Sequence, residues 1–219
     1  MARSQPADVE RAAPRLYLVT PVIEDAAAFA GKLGEALEAA DVAAVLLRLA
    51  PGGERDLINR VKELASVVQR RDAALVLEGR PELAARSGAD GAHLSGIEAF
   101  TAAVESLKPA RIAGCGGLHT RHDAMLAGER GADYVLFGEI EPDGSRPSFS
   151  AIVERIEWWS QLFEIPCVGF AAELDEVGPL AAARADFIAV GERLWTRPQG
   201  IGAALAEAAR RAAAREMTA

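Results

Sequence analysis

The chain has 219 residues, of which 50% are hydrophobic and 26% charged, with a formal net charge of −8. This composition excludes a disordered or collagen-like chain, and no apolar run approaches the roughly twenty residues that a membrane span needs. The negative balance disfavours nucleic acid and anionic membrane surfaces as partners, which leaves small molecules as the expected ligands.

Residues 1–14 carry Pro6, Pro14 and scattered charge without periodicity, and are expected to form a flexible N-terminal arm ahead of one domain over 15–219. From Arg15 onward, short runs rich in Val, Ile and Leu alternate with longer Ala/Glu/Arg stretches of helical spacing. The order is strand 16–20, helix 25–40, strand 43–49, helix 55–71, strand 74–77, a short helix 81–86 and strand 91–94. It continues with helix 98–107, strand 111–114, helix 121–130, strand 134–138, helix 149–163, strands 167–170 and 187–191, and a last helix 201–216. The strands are continuous apolar runs, as parallel strands buried on both faces should be. Eight such units of about 24 residues each predict a single (β/α)8 TIM barrel, a length at which such barrels are commonly one domain. An open doubly wound sheet shares this grammar, but no G-x-G-x-x-G follows the first strand.

In such a barrel the chemistry lies where strands end. Those positions are Thr20 and Pro21, Arg48, Glu78 to Arg80, His93, Ser95, Glu98, Cys115 to Gly117, His119, Glu139, Gly169, Phe170, Glu173 and Gly191 to Arg193. The cations are 21 Arg and only Lys32, Lys62 and Lys108, none of which ends a predicted strand, so any phosphate contact at a strand end must come from Arg. Neither Cys115 nor Cys167 has metal-cluster spacing, and the start resembles neither a signal nor a transit peptide, so a reducing cytoplasm is the expected location. Trp158 and Trp159 cannot both face inward on one helix, and the outward one is a candidate contact in a homo-oligomer.

Over 15–195 the chain resembles the thiamine phosphate synthase family and its sister group, the thiazole tautomerases. The resemblance rests on Leu16-Tyr17-Leu18-Val19-Thr20, on Leu47-Arg48, on Gly88-Ala89-Asp90-Gly91-Ala92-His93-Leu94, and on Gly131-Ala132-Asp133-Tyr134-Val135-Leu136-Phe137-Gly138, in that order. It implies a TIM barrel that couples a pyrimidine diphosphate to a thiazole phosphate, releasing pyrophosphate with Mg2+. The departures lie at the strand ends. Arg48 lacks the Glu-Lys pair that follows it in the synthases, the Asn-Asp-Arg of strand three is Glu78-Gly79-Arg80, and the Gln-Glu-Asp of strand four is Gly96-Ile97-Glu98. The hydroxyl residues after strand five give way to Gly116-Gly117, with His119 one place late. The lid after strand six keeps one cation, Arg146, and the Gly-Gly pair after strand seven reads Gly169-Phe170.

Three readings follow. A synthase-like reaction would place Arg48 and Arg80 on a diphosphate, Glu98 near Mg2+, and Glu78, His93, Gly116, Arg146, Gly169 and Gly191 around the substrates. A tautomerase-like reaction would use Glu139, at the position of that group's acid/base His, with a pKa raised by an apolar mouth. A non-catalytic barrel would bind a heterocycle or its phosphate without the phosphate cradle. Against each role stands a structural one: Arg48 paired with Glu78, His93 in the core, Glu139 paired with Arg48 or Arg146. His119 is a catalytic candidate, and with His122 it forms a weak metal pair.

Overall fold

The computed structural model of the protein describes residues 12–214. The expected arm falls outside them but for residues 12–14, of which Pro14 is buried. Eight parallel strands close in chain order into one barrel. They are β1 Arg15–Ile23, β2 Val42–Leu49, β3 Ala74–Glu78, β4 Gly91–Ser95, β5 Ile112–Gly116, β6 Tyr134–Phe137, β7 Cys167–Ala171 and β8 Phe187–Val190. The surrounding helices are α1 Ala26–Ala39, α2 Glu54–Gln69, α3 Pro81–Ser87, α4 Ile97–Leu107, α5 Arg121–Glu129, α6 Phe149–Leu162, α7 Val177–Ala182, α8 Glu192–Trp195 and α9 Ile201–Ala213. The chain is a single (β/α)8 barrel, as its rhythm predicts.

Closure divides the apolar core in two, because alternate residues of each strand face opposite sides. Outside the strands, Leu16, Leu18, Val45, Leu47, Leu75, Leu77, Cys115 and Ile188 pack against the helices. Inside lie Tyr17, Val19, Leu46, Val76, Tyr134, Leu136, Val168 and Ala189. The two glycines of β5, Gly114 and Gly116, belong to this inner set by alternation with Cys115.

The Gly-Ala-Asp runs that carry much of the family likeness do their work at the opposite end from the strand-end residues. The N–H of Asp90 donates to the Leu75 carbonyl at 2.8 Å while its Oδ2 accepts from the Leu75 N–H at 2.7 Å. Asp133 clasps Ala113 in the same way (2.9 and 2.8 Å), and Asp186 clasps Cys167 (3.0 and 2.9 Å). Each aspartate starts one strand and fixes the start of the strand before it, which sets the barrel's register. Gly88 and Gly131 precede two of them at φ +81° and +91°, a turn that residues with a Cβ rarely make.

Three local differences from the expected elements have physical causes. β1 runs past Pro21 to Ile23, because a register shift between Val19 and Val22 gives the proline, which has no N–H, a place in the ladder. α7 follows β7 although Gly178 and Pro179 weaken its signal, since proline is tolerated in a first turn. α8 is one turn long, too short to register as periodicity. Trp159 is fully buried with its N–H on the Ile165 carbonyl at 2.7 Å, whereas Trp158 lies partly buried beneath the Arg121 guanidinium.

Candidate active site

The carboxyl ends of the strands open into a cavity of about 810 Å3. Its walls include Val19, Leu46, Leu136, Ile140 and Phe170, and its polar groups include Arg48, Glu78, His93, Glu139, Glu192 and Arg193. A second hollow of about 590 Å3 lies at the amino ends of the strands, among Asp90, Lys108, Arg111 and Asp133. Asp90 and Asp133 are two of the clasps described above, and in this fold that end serves stability.

At the base of the mouth His93 Nε2 and Glu139 Oε1 are 2.9 Å apart. Glu139 Oε2 accepts from the Gly117 N–H at 2.7 Å, so both carboxylate oxygens are fixed. On the other side of the imidazole, Nδ1 lies 2.9 Å from the Tyr134 hydroxyl, which lies 2.7 Å from the Tyr17 hydroxyl. A hydrogen-bonded chain thus runs Tyr17, Tyr134, His93, Glu139, Gly117 across the barrel. His93 is 1% exposed, while the Glu139 side chain, 21% exposed, reaches the cavity.

The room for this chain comes from β5. A Cβ on Gly116 would lie 1.9 Å from Glu139 Oε2 and 2.6 Å from His93 Nε2, and one on Gly114 would lie 2.1 Å from Cζ of Tyr134. With neither present, the large polar groups of β4 and β6 fill the space.

The electrostatics correct one expectation. Burial pushes the Glu139 carboxyl up, but the His93 imidazole beside it, the hydrogen bond to that ring and the Gly117 N–H together outweigh burial, so its pKa lies below the ordinary carboxylate value. The raised pKa expected of a Glu in an apolar mouth is therefore not what these neighbours produce. Burial drives both phenols well up, so Tyr17 and Tyr134 keep their protons. The Cys115 thiol is pushed up to about 12, chiefly by burial and further by the Glu139 charge. A buried thiol facing the helices is no nucleophile for a ligand in the mouth.

The rim arginines are occupied by carboxylates. Arg48 Nε lies 3.2 Å from Glu78 and Nη1 3.5 Å from Glu192. Arg146 reaches Glu176 at 3.1 Å, Arg193 pairs with Glu173, and Arg80 lies 3.9 Å from Glu82 in the first turn of the helix that follows it. Of the residues singled out from sequence, Arg48, Glu78, His93, Glu139 and Gly191 line the cavity. Gly116 lies beneath Glu139 and His93. Gly169 points outward, its missing Cβ facing Ile156 and Leu180 on the helical layer. His119, His122 and Glu98 are exposed at the starts of α5 and α4 and do not line the mouth.

The donor set does not fit a Mg2+ site built by the protein. Glu98 is exposed, Gly79 offers no side chain, Glu78 is engaged by Arg48, and no three His, Cys, Asp or Glu converge among the described residues. Phe170 stands over Gly191, with its Cζ 2.8 Å from where a Cβ would be, and so occupies the space in which a phosphate would meet that backbone.

Sequence reasoning did not find Tyr17, Tyr134 or the Gly117 N–H. The available signal was alternation: Tyr17 and Tyr134 each stand two residues before an inward residue, Val19 and Leu136. Continuous apolar runs conceal that alternation.

Residues 16–194 match the family model described as thiamine monophosphate synthase. A thiamine-phosphate synthase from Rhodospirillum centenum is 42% identical over 196 residues, covering 88% of this chain and 95% of that protein. One from Hyphomonas neptunium is 35% identical, covering 87% of this chain and 90% of that protein. The solved thiamine phosphate pyrophosphorylase from Pyrococcus furiosus superposes with a TM-score of 0.74 at 22% identity, over 90% of this chain and 95% of that one. On the match over residues 16–194 and the 42% identity with a relative covered almost end to end, the chain belongs to the thiamine monophosphate synthase family.

Proposed function

We propose that the protein is an enzyme of thiamin metabolism that binds a small heterocycle or its phosphate ester in the barrel mouth and moves a proton on it through Glu139 and His93. The observation that supports this reading most is the 2.9 Å contact between Glu139 Oε1 and His93 Nε2 at the floor of the cavity. A carboxylate held by an imidazole and a backbone N–H, with its remaining lone pairs toward a bound ring, is a positioned base. Glu139 accepts the proton as a ring C–H bond breaks, and returns it to another ring or exocyclic atom, a tautomerisation in which nothing else is gained or lost. The His93 N–H stays on Oε1 and steadies the carboxylate between steps. The apolar walls hold the ring, with Phe170 beside it.

The direct test is thiazole tautomerisation by the purified protein compared with Glu139→Gln. The substitution removes the base and is expected to lower the rate by about 10²- to 10⁴-fold.

A second reading, coupling of a pyrimidine diphosphate to a thiazole phosphate, is favoured by what the relatives are called and by one feature of the loop after β6. Arg146 keeps two buried donors, Nε and Nη2, that no acceptor among the described residues satisfies, two residues beyond Gly144 in the mouth wall. A phosphate oxygen is a suitable acceptor for both. Pyrophosphate released from the two substrates with Mg2+ would establish coupling. Its absence alongside tautomerisation supports the first reading, and the absence of both with retained heterocycle binding would make the barrel a binding protein.

A further inference from the structure

We infer that Tyr134 is a positioning residue: donating into Nδ1 of His93, it orients the imidazole so that its Nε2–H is aimed at Glu139. The four side chains admit three orders of donors. In the first, the Tyr17 hydroxyl donates to Tyr134, Tyr134 donates to His93 Nδ1, and His93 Nε2 donates to Glu139, each across 2.7 to 2.9 Å. Every hydrogen then has an acceptor. In the other two, Nδ1–H donates to Tyr134, which leaves without an acceptor either the Tyr17 hydrogen, when Tyr134 donates to Tyr17, or the Tyr134 hydrogen, when Tyr17 donates to Tyr134. Tyr17 is 2% exposed, and among the described residues its hydroxyl bonds to Tyr134 alone.

A buried hydroxyl hydrogen without a partner carries the full desolvation penalty, so the first order is the one that this packing selects. It has a chemical consequence. A phenol that donates to Nδ1 holds the ring where its Nε2–H meets Glu139 Oε1, so on that side Glu139 stays bound to a single, fixed donor. Gly114 is part of the device, since any larger residue would displace the Tyr134 ring.

The other titratable or charged groups around the imidazole are Tyr17 on β1, Arg48 on β2, Glu78 on β3, Cys115 on β5, Glu139 after β6, and Glu192 and Arg193 after β8. Neither tyrosine substitution changes their charges. This makes the pair Tyr134→Phe and Tyr17→Phe a controlled comparison. Tyr134→Phe removes the donor to Nδ1. Tyr17→Phe leaves Tyr134 with Nδ1 as its acceptor.

The inference rests on the acid/base reading for its functional meaning, but its test does not require a substrate. The full chain is labelled with 15N-histidine, His93 is assigned through His93→Gln, and its ring nitrogens are observed at neutral pH in the three proteins. The wild type is expected to show Nδ1 bare and Nε2 protonated at neutral pH. In Tyr134→Phe the Nδ1 resonance moves downfield, as that of a bare ring nitrogen does when it loses its hydrogen-bond donor, whereas in Tyr17→Phe it stays where it was. Thermal melts and near-ultraviolet circular dichroism identify a variant that has lost its fold. A protonated Nδ1 in the wild type, or equal shifts in the two phenylalanine variants, overturns the inference. Should the spectra come out as expected while Glu139→Gln tautomerises normally, the positioning stands and the proposed function fails.

Discussion

Gly116→Ala adds one methyl group at the floor of the mouth, and the geometry fixes where it goes. The backbone accepts alanine, because Gly116 is not among the residues with positive φ. The new Cβ would lie 1.9 Å from Glu139 Oε2 and 2.6 Å from both the Glu139 Cδ and His93 Nε2. The carboxylate must leave its position and gives up the Gly117 N–H, the His93 N–H or both. Overpacking of this kind costs about 1 to 3 kcal/mol, and losing a hydrogen bond to a charged group about 1.5 to 3 more. A destabilisation of about 3 kcal/mol is expected, or roughly 6 to 12 °C in Tm for a barrel of this size. The rate of proton transfer falls by about 100-fold, since displacement by about 1 Å is enough to do so. Gly31→Ala is the control: it lies in α1 with nothing within 4 Å of a new Cβ, and it should stabilise by about 0.5 to 1 kcal/mol. Urea denaturation and a tautomerisation assay measure both effects. Equal stability and rate in Gly116→Ala and wild type would refute the packing argument and, with it, the position given to Glu139.

Other outcomes follow from the same contacts. Asp133→Ala opens one clasp at the base of the barrel and should cost about 1 to 3 kcal/mol in urea denaturation with little change in ligand affinity. A carboxyl whose folded pKa is depressed stabilises the fold above its unfolded value, and that contribution is lost as pH falls through the folded one. Glu139→Gln should therefore flatten the decline in stability below about 4.5, measured as Tm against pH. Cys115 should resist thiol reagents at pH 8 in the folded protein and react once urea unfolds it, because its thiol is pushed up to about 12. Thiazole phosphate should bind more weakly than its alcohol shows without the phosphate, because Phe170 fills the space at Gly191 and carboxylates hold the rim arginines; tight, phosphate-dependent binding by calorimetry would contradict this.

The barrel was legible because parallel strands and their crossover helices leave two distinct periods in the chain, and eight repeats of that pattern suit closure. The elements that escaped are those whose signal is not periodic: the one-turn α8, and α7 behind Gly178 and Pro179. At the site, position along a strand was legible and direction was not. Gly169 and Gly191 both end strands, but alternation turns the first toward Ile156 and the second into the mouth. The partner of Glu139 was hidden for a further reason. His93 lies 46 residues away and meets it only because Gly114 and Gly116, two strand positions without side chains, allow groups from β4 and from beyond β6 to touch across β5. The Gly-Ala-Asp motifs were visible as family likeness, yet their chemistry, a reciprocal clasp between neighbouring strand starts, depends on a register that only the closed sheet defines.

The central claim is that the mouth moves a proton through Glu139. Its most direct measurement is solvent deuterium incorporation into a thiazole substrate by wild type and by Glu139→Gln, each shown to be folded and to bind the ring equally. Incorporation by the wild type, slowed at least 100-fold in Glu139→Gln, is the predicted result. Equal incorporation by the two proteins, or none by the wild type at high enzyme concentration, would contradict it.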